Sequence, residues 1–131
     1  MTVFIDTSAI YALLSVDDEN HARAQATWVK LANRPQDLMT SNYVLVETSA
    51  LLGWRLGFQA VRDFETNFVP ALEVRWVDLT IHRQAVAALL TAAERSLSLV
   101  DCVSFELMRQ AGLNVAFAFD VHFSQQGFEL L

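Results

Sequence analysis

Three aspartates stand at positions from which carboxylates often reach a shared site. Asp6 and Asp120 each follow a short apolar run, residues 3–5 and 115–119, of the kind that forms a strand buried on both faces. Asp101 stands in the first turn of a predicted helix. In open α/β sheets, ligands bind at the carboxyl ends of the strands, where helices begin. We therefore predict that the three aspartates lie along one rim of a sheet.

Glu47 is a fourth acid, and its position on a helix is informative. Its neighbours three and four residues away are Tyr43, Val44, Ala50 and Leu51, so its carboxylate lies on the apolar stripe predicted to face the sheet. A buried carboxylate has to meet an arginine, take up a proton or help to bind a cation. We favour cation binding over a structural ion pair.

Each aspartate taken alone also has a purely structural explanation. Asp6 suits a helix N-cap, Asp120 an Asx turn, and Asp101 the positive end of a helix dipole. Together, four clustered carboxylates would repel one another unless protons or cations neutralise them. An all-oxygen cluster favours Mg²⁺, with Mn²⁺ as a substitute, over zinc, because the sequence lacks a Cys and His spacing of the zinc kind. Magnesium commonly joins carboxylates to a substrate phosphate, which points to phosphodiester chemistry.

The elements that must position these acids alternate along the chain. We predict a helix after Thr7, further helices over residues 20–32, 43–56, 58–68, 81–95 and 99–111, and strands over residues 38–40, 74–77 and 115–119, with an edge strand at 128–131. Pro35 and Pro70 are predicted breaks, and Thr80 a predicted N-cap. Strands separated by helices indicate an α/β layered domain with a mainly parallel central sheet flanked by helices. We expect residues 1–131 to form a single domain.

The composition limits the class of protein. The net charge of −6 argues against binding nucleic acid through a broad basic face, although bound cations would cancel part of that charge. Apolar residues make up 53% of the chain, which leaves room for exposed apolar surface at a partner interface. The sequence has neither a long apolar stretch nor a basic segment before its first apolar run. We expect a cytoplasmic protein that does not enter a membrane.

Four segments around the acids carry a specific resemblance. Residues 3–8, 40–48, 98–105 and 118–123 resemble, in order and spacing, the four acidic motifs of the PIN domain family, and most closely the VapC-like toxins of toxin–antitoxin modules. The resemblance implies a ribonuclease whose metal-binding acids are Asp6, Glu47, Asp101 and Asp120. It also implies that Thr7 or Ser8 helps to position a ligand or a water. Val121 departs from the pattern, since many relatives have a basic residue there, so His122 or an arginine would take over the phosphate contact.

The resemblance also implies a reaction and partners. A water activated by Mg²⁺ would hydrolyse the RNA phosphodiester bond, leaving 5′-phosphate and 3′-hydroxyl ends. A cognate antitoxin would neutralise the toxin, which would form a homodimer. Four aromatic residues on the two helices before Pro70 lie either in the core or at such contacts: Trp54, Phe58, Phe64 and Phe68.

Three other classes of protein share part of this pattern. A haloacid-dehalogenase-like phosphatase has a second aspartate two residues after the first, where this chain has Ser8. A receiver domain has a lysine after a late strand, whereas Lys30 comes far too early. The non-enzymatic alternative is a catalytically weak PIN-like scaffold that binds RNA or a protein partner, and the presence of all four acids argues against it.

Overall fold

A five-stranded sheet forms the centre of the fold. The computed structural model describes residues 1–33 and 37–131, and all five strands lie within them. The strands are β1 (Thr2–Ile5), β2 (Asp37–Ser41), β3 (Glu73–Arg75), β4 (Val115–Phe117) and β5 (Glu129–Leu130). They lie in the order β3-β2-β1-β4-β5, and every neighbouring pair is parallel. The residue that follows β1 therefore emerges at the middle of the rim formed by the strand ends.

Helices connect the strands and pack beside the sheet. They are α1 (Thr7–Leu14), α2 (His21–Ala32), α3 (Asn42–Arg55), α4 (Phe58–Asp63), α5 (Leu79–Ala92), α6 (Leu99–Ala111) and α7 (Val121–Gln125). A π-helical turn and a 3₁₀ turn, Phe64–Phe68 and Val69–Ala71, extend α4. The predicted α/β fold with a mainly parallel sheet is confirmed.

The core lies on the central strand. Val3, Phe4 and Ile5 have no exposed surface, as expected for a strand covered by helices on both faces. Around Phe4 and Phe123, aromatic side chains pack against one another, including an edge-to-face contact between Phe105 and Phe123 with ring centres 5.0 Å apart. Since Phe105 belongs to α6 and Phe123 to α7, this packing holds both helices against the sheet.

Several predicted boundaries are wrong, and each has a local cause. Asp78, rather than Thr80, caps α5, because its carboxylate accepts a hydrogen bond from the Ile81 amide at 2.9 Å. The predicted strand at 74–77 lies at Glu73–Arg75, and the one at 115–119 ends at Phe117. The short helix α7, which follows Asp120, was not predicted.

The helical segment before β3 also differs from the prediction. Pro70 does not stop the helix but lies inside the 3₁₀ turn, as the first helical turn tolerates proline. The aromatic residues divide: Trp54 is 88% exposed and Phe58 71% exposed, whereas Phe64 is buried and Phe68 stacks on Trp28 at 5.4 Å. The predicted break at Pro35 lies outside the described residues. None of the described helices is long and apolar enough to cross a membrane.

Candidate metal centre

Asp6 leaves the end of β1 and caps α1. Its Oδ2 atom accepts hydrogen bonds from the Ser8 hydroxyl at 2.7 Å and the Ser8 amide at 3.2 Å. Its Oδ1 atom is buried and has no hydrogen-bond partner in the described part of the chain. Asp6 is therefore a cap, as one interpretation predicted, and it also carries a free oxygen directed into the protein.

Ser8 and Thr7 connect Asp6 to its surroundings. The Ser8 hydroxyl, while donating to Asp6, accepts the amide of Phe119 at 2.9 Å, so it ties the first acid to the loop that leads to Asp120. The Thr7 hydroxyl is hydrogen-bonded to that of Thr48, 3.0 Å away in the core. Thr48 lies on α3 directly after Glu47, so this bond fixes the part of α3 that carries Glu47 against the start of α1.

Asp101 lies at the start of α6, where a reciprocal cap orients it. Ser98 Oγ accepts the Asp101 amide at 3.1 Å, and Asp101 Oδ2 accepts the Ser98 amide at 3.0 Å. This capping box holds the carboxylate in one orientation. Asp101 is nevertheless only 8% exposed, and burial together with the charge of Asp120 raises its pKa.

Asp120 caps the unpredicted helix α7 and contacts His122. Its Oδ1 atom accepts both the His122 amide at 2.9 Å and His122 Nδ1 at 2.7 Å. The other ring nitrogen, Nε2, is hydrogen-bonded to the Ser96 hydroxyl at 3.1 Å. Asp101, Asp120 and His122 each place one possible ligand atom within 4.8 Å of the others.

Glu47 is less buried than the sequence predicts. It is partly buried on α3, and within the described ranges no arginine or lysine forms an ion pair with it. Its charge nevertheless contributes to raising the pKa of Asp6. The structural alternative for Glu47, an ion pair with an arginine, is thus not found among these residues.

Electrostatics link the four predicted acids into one group. The pKa of Asp6 is raised to about 7, chiefly by burial; the charges of Asp101 and Glu47 add to the rise, and the hydrogen bonds from Ser8 oppose it. Asp101 is linked in turn to Asp120 by the charge of that residue. Such a group is unfavourable when every member is ionised.

The donor set suits a hard divalent cation. The unpartnered Asp6 Oδ1 is an acceptor that burial has already stripped of water, and carboxylate oxygens are the preferred ligands of Mg²⁺ and Mn²⁺. A cation beside these acids would offset both the desolvation and the mutual repulsion. The residues present therefore fit such an ion.

Of three polar contacts that support the acids, sequence reasoning missed two and predicted the third only as a cap within residues 96–98. Thr48 holds Thr7, Ser98 forms the capping box, and Ser96 bonds His122. The pattern Ser98-x-x-Asp101 before an apolar run is a known capping signature and could have identified the box. The hydroxyl of Thr48 carries no such signal, since its partner lies 41 residues away.

Comparison with known proteins identifies the family. The PIN domain family matches residues 3–129. The chain belongs to the PIN domain family. Among curated PIN relatives, the 23S rRNA-specific endonuclease VapC20 of Mycobacterium tuberculosis is 39% identical over 127 residues, covering 96% of this chain and 95% of its own.

Solved PIN structures show the same fold. The crystal structure of VapC20, described as a sarcin–ricin loop cleaving toxin, superposes with a TM-score of 0.86 at 37% identity, covering 96% of this chain and 95% of that one. VapBC2 from Rickettsia felis, bound to a promoter DNA fragment, gives a TM-score of 0.71 at 10% identity and covers 100% and 98% of the two chains. At that identity the likeness concerns the fold alone. The predicted family and the predicted metal-dependent nuclease of the VapC-like toxin class are confirmed.

Proposed function

We propose that this PIN domain is a Mg²⁺-dependent endoribonuclease toxin whose substrate is ribosomal RNA and whose metal ligands are Asp6, Glu47, Asp101 and Asp120. The observation that carries the site is the buried, unpartnered Oδ1 of Asp6, on a carboxylate that also feels the charges of Asp101 and Glu47. The RNA class follows from the VapC20 relative, which is named as specific for 23S rRNA. Mn²⁺ is a substitute of matching chemistry.

The chain's own residues supply position and charge. Ser8 holds Asp6 by its Oδ2 atom, which leaves Oδ1 for a cation. The capping box holds Asp101, and His122 holds Asp120. When bound, the ion would lower the pKa of a water and stabilise negative charge on the scissile phosphate. Within the proposed site no side chain is needed as a nucleophile.

The proposed phosphate contact requires a basic residue near the acids. The Arg23 guanidinium lies over the Phe119 ring, 5.3 Å from the ring centre. Phe119 directly precedes Asp120 in the chain. His122 is the other basic group beside Asp120. We propose that Arg23 and His122 contact the RNA backbone at the position where Val121 replaces the basic residue of many relatives.

Residues 1–131 are proposed to act as one domain with protein partners. Structural neighbours are complexes of the VapBC kind, such as VapBC-1 from nontypeable Haemophilus influenzae. We propose that a cognate antitoxin and a second copy of the chain bind apolar surface such as exposed Trp54 and Phe58. An rRNA substrate would place this activity in the cytoplasm.

The decisive experiment measures cleavage of purified ribosomal RNA by the wild type and by Asp6→Asn and Asp101→Asn. Each variant should lose Mg²⁺-dependent cleavage and keep its circular dichroism spectrum. Asp17→Asn, a change at an exposed acid away from the group, is the matched control and should cleave normally. If the wild type binds RNA but never cuts it, the scaffold alternative holds instead.

A further inference from the structure

A pocket opens beside the acids, between the first turns of α3 and α6. Its lining residues are Asn42, Tyr43, Val46, Glu47 and Val100, and its volume is about 340 Å³. Glu47 belongs to both the pocket and the acidic group, and Val100 directly precedes Asp101. The pocket is therefore continuous with the candidate metal centre.

We propose that this pocket binds one unstacked base of the RNA, on a nucleotide adjoining the scissile phosphate. The inference rests on the ribonuclease function proposed above and adds a base-binding subsite to it. When the scissile phosphate of an RNA strand lies at the acids, the base of the adjoining nucleotide is only one sugar away from that phosphate. Sequence-specific RNA recognition commonly uses such bases, splayed out of single-stranded loops.

The pocket wall is held in place by hydrogen bonds. The Tyr43 hydroxyl is hydrogen-bonded to His82 Nδ1, which ties α3 to α5. Asn42 Oδ1 accepts the Val77 amide at 2.8 Å, so the group that Asn42 keeps for a ligand is its NH₂, a donor. An aromatic ring, two valines and one donor match the flat face and an acceptor edge of a base.

Charge separates a base from the other parts of RNA. The residues that line the pocket include no basic side chain to pair with a phosphate, whereas a base is neutral and has apolar faces. The pocket volume falls within the range of about 300–1,000 Å³ usual for small-ligand sites. A second copy of the chain is the competing occupant, and the experiment below includes it.

Nuclear magnetic resonance on the full chain tests the proposal directly. Nucleoside 5′-monophosphates, added with Mg²⁺, should shift the methyl signals of Val46 and Val100 and the side-chain amide of Asn42. Ribose 5-phosphate, which lacks the base, should leave them in place. Equal shifts with both probes, or none with either, would overturn the proposal. Shifts that depend on protein concentration without nucleotide would assign the pocket to a second copy and also overturn it.

A matched pair of valine substitutions provides the second test. Val46 is 70% exposed and Val29, on α2, is 59% exposed, so Val46→Gln and Val29→Gln leave the core intact. Val46→Gln should weaken binding of single-stranded RNA in Ca²⁺, and raise KM for cleavage, about fivefold. The kcat and the Mg²⁺ affinity of Val46→Gln should stay at the wild-type values. In Val29→Gln, RNA binding, KM, kcat and Mg²⁺ affinity should all stay at the wild-type values.

The two proposals fail in different ways. If Val46→Gln binds and cleaves RNA like the wild type, the base subsite is wrong and the ribonuclease proposal stands. If mononucleotides shift the pocket signals but the wild type cuts no RNA, the ribonuclease proposal is wrong and the base subsite stands.

Discussion

Asp6 makes the metal-free protein sensitive to pH. Its pKa rises from 3.8 to about 7 on folding, chiefly because burial disfavours the charged carboxylate. At pH values between 3.8 and about 7, Asp6 keeps its proton in the folded state and releases it in the unfolded chain. Its contribution to stability is therefore complete below pH 3.8 and is lost as the pH rises towards 7, on the order of 4 kcal/mol in all.

Urea unfolding in EDTA across this range measures that loss. The free energy of unfolding of the wild type should fall as the pH rises, and Asp6→Asn, which cannot ionise, should show a much flatter dependence. At pH 8 the metal-free variant should be the more stable of the two. Equal slopes in both proteins would show that Asp6 is ionised in the fold.

His122 orients Asp120 through its ring nitrogen at 2.7 Å. Partners that orient a metal ligand typically contribute 10- to 100-fold to metal affinity or activity. We expect His122→Ala to weaken Mg²⁺ binding, measured calorimetrically, about tenfold. His21→Ala is the control, since His21 bonds the Ala12 carbonyl instead; an unchanged Mg²⁺ affinity in His122→Ala would remove the orienting role.

At the scale of elements, α1 and α3 are joined by the buried bond between Thr7 and Thr48. Thr48→Val keeps the side-chain volume but leaves the Thr7 hydroxyl unpaired, at a cost of about 1–3 kcal/mol. Replacing both threonines by valine removes both polar groups and should recover most of this loss. Urea unfolding of the two single variants and the double variant measures the coupling; strictly additive losses would contradict it.

Other elements place the acids through their ends rather than their interiors. The capping box at Ser98 and the hydrogen bond from Ser8 to Asp6 lie where a helix begins. Helix starts leave amides unpaired, so the same carboxylate can cap a helix with one oxygen and keep the other for a ligand. The structural and functional explanations of Asp6 are therefore compatible.

At the scale of the whole molecule, cation binding should stabilise the fold. A ligand that binds only the folded state raises the free energy of unfolding by about 2.7 kcal/mol at 100 times its Kd. Mg²⁺ should therefore raise the melting temperature of the wild type at pH 8, and EDTA should reverse the rise. The melting temperature of Asp101→Asn should change little with Mg²⁺, whereas that of the control Asp17→Asn should rise as the wild type's does. A rise in Asp101→Asn equal to that of the wild type would exclude Asp101 as a ligand.

The sequence by itself determined the alternation of strands and helices, and it indicated the four acids that we propose as metal ligands. Apolar runs and helix signals depend on neighbouring residues, so β1, α3 and α6 were predicted near their observed positions. Boundaries that depend on single hydrogen bonds were not predicted: Asp78 caps α5 where Thr80 was predicted, and β4 ends at Phe117 where Phe119 was predicted. The apolar run continues to Phe119, but the strand pairing does not.

Only the tertiary structure decided how the acids are connected. The strand order places β1 between β2 and β4, so Asp6 lies between α3, which follows β2, and the loop after β4. The contacts of Ser8 with Phe119 and of Thr7 with Thr48 span 111 and 41 residues of chain. No local pattern specifies such pairs, because they depend on which strands become neighbours.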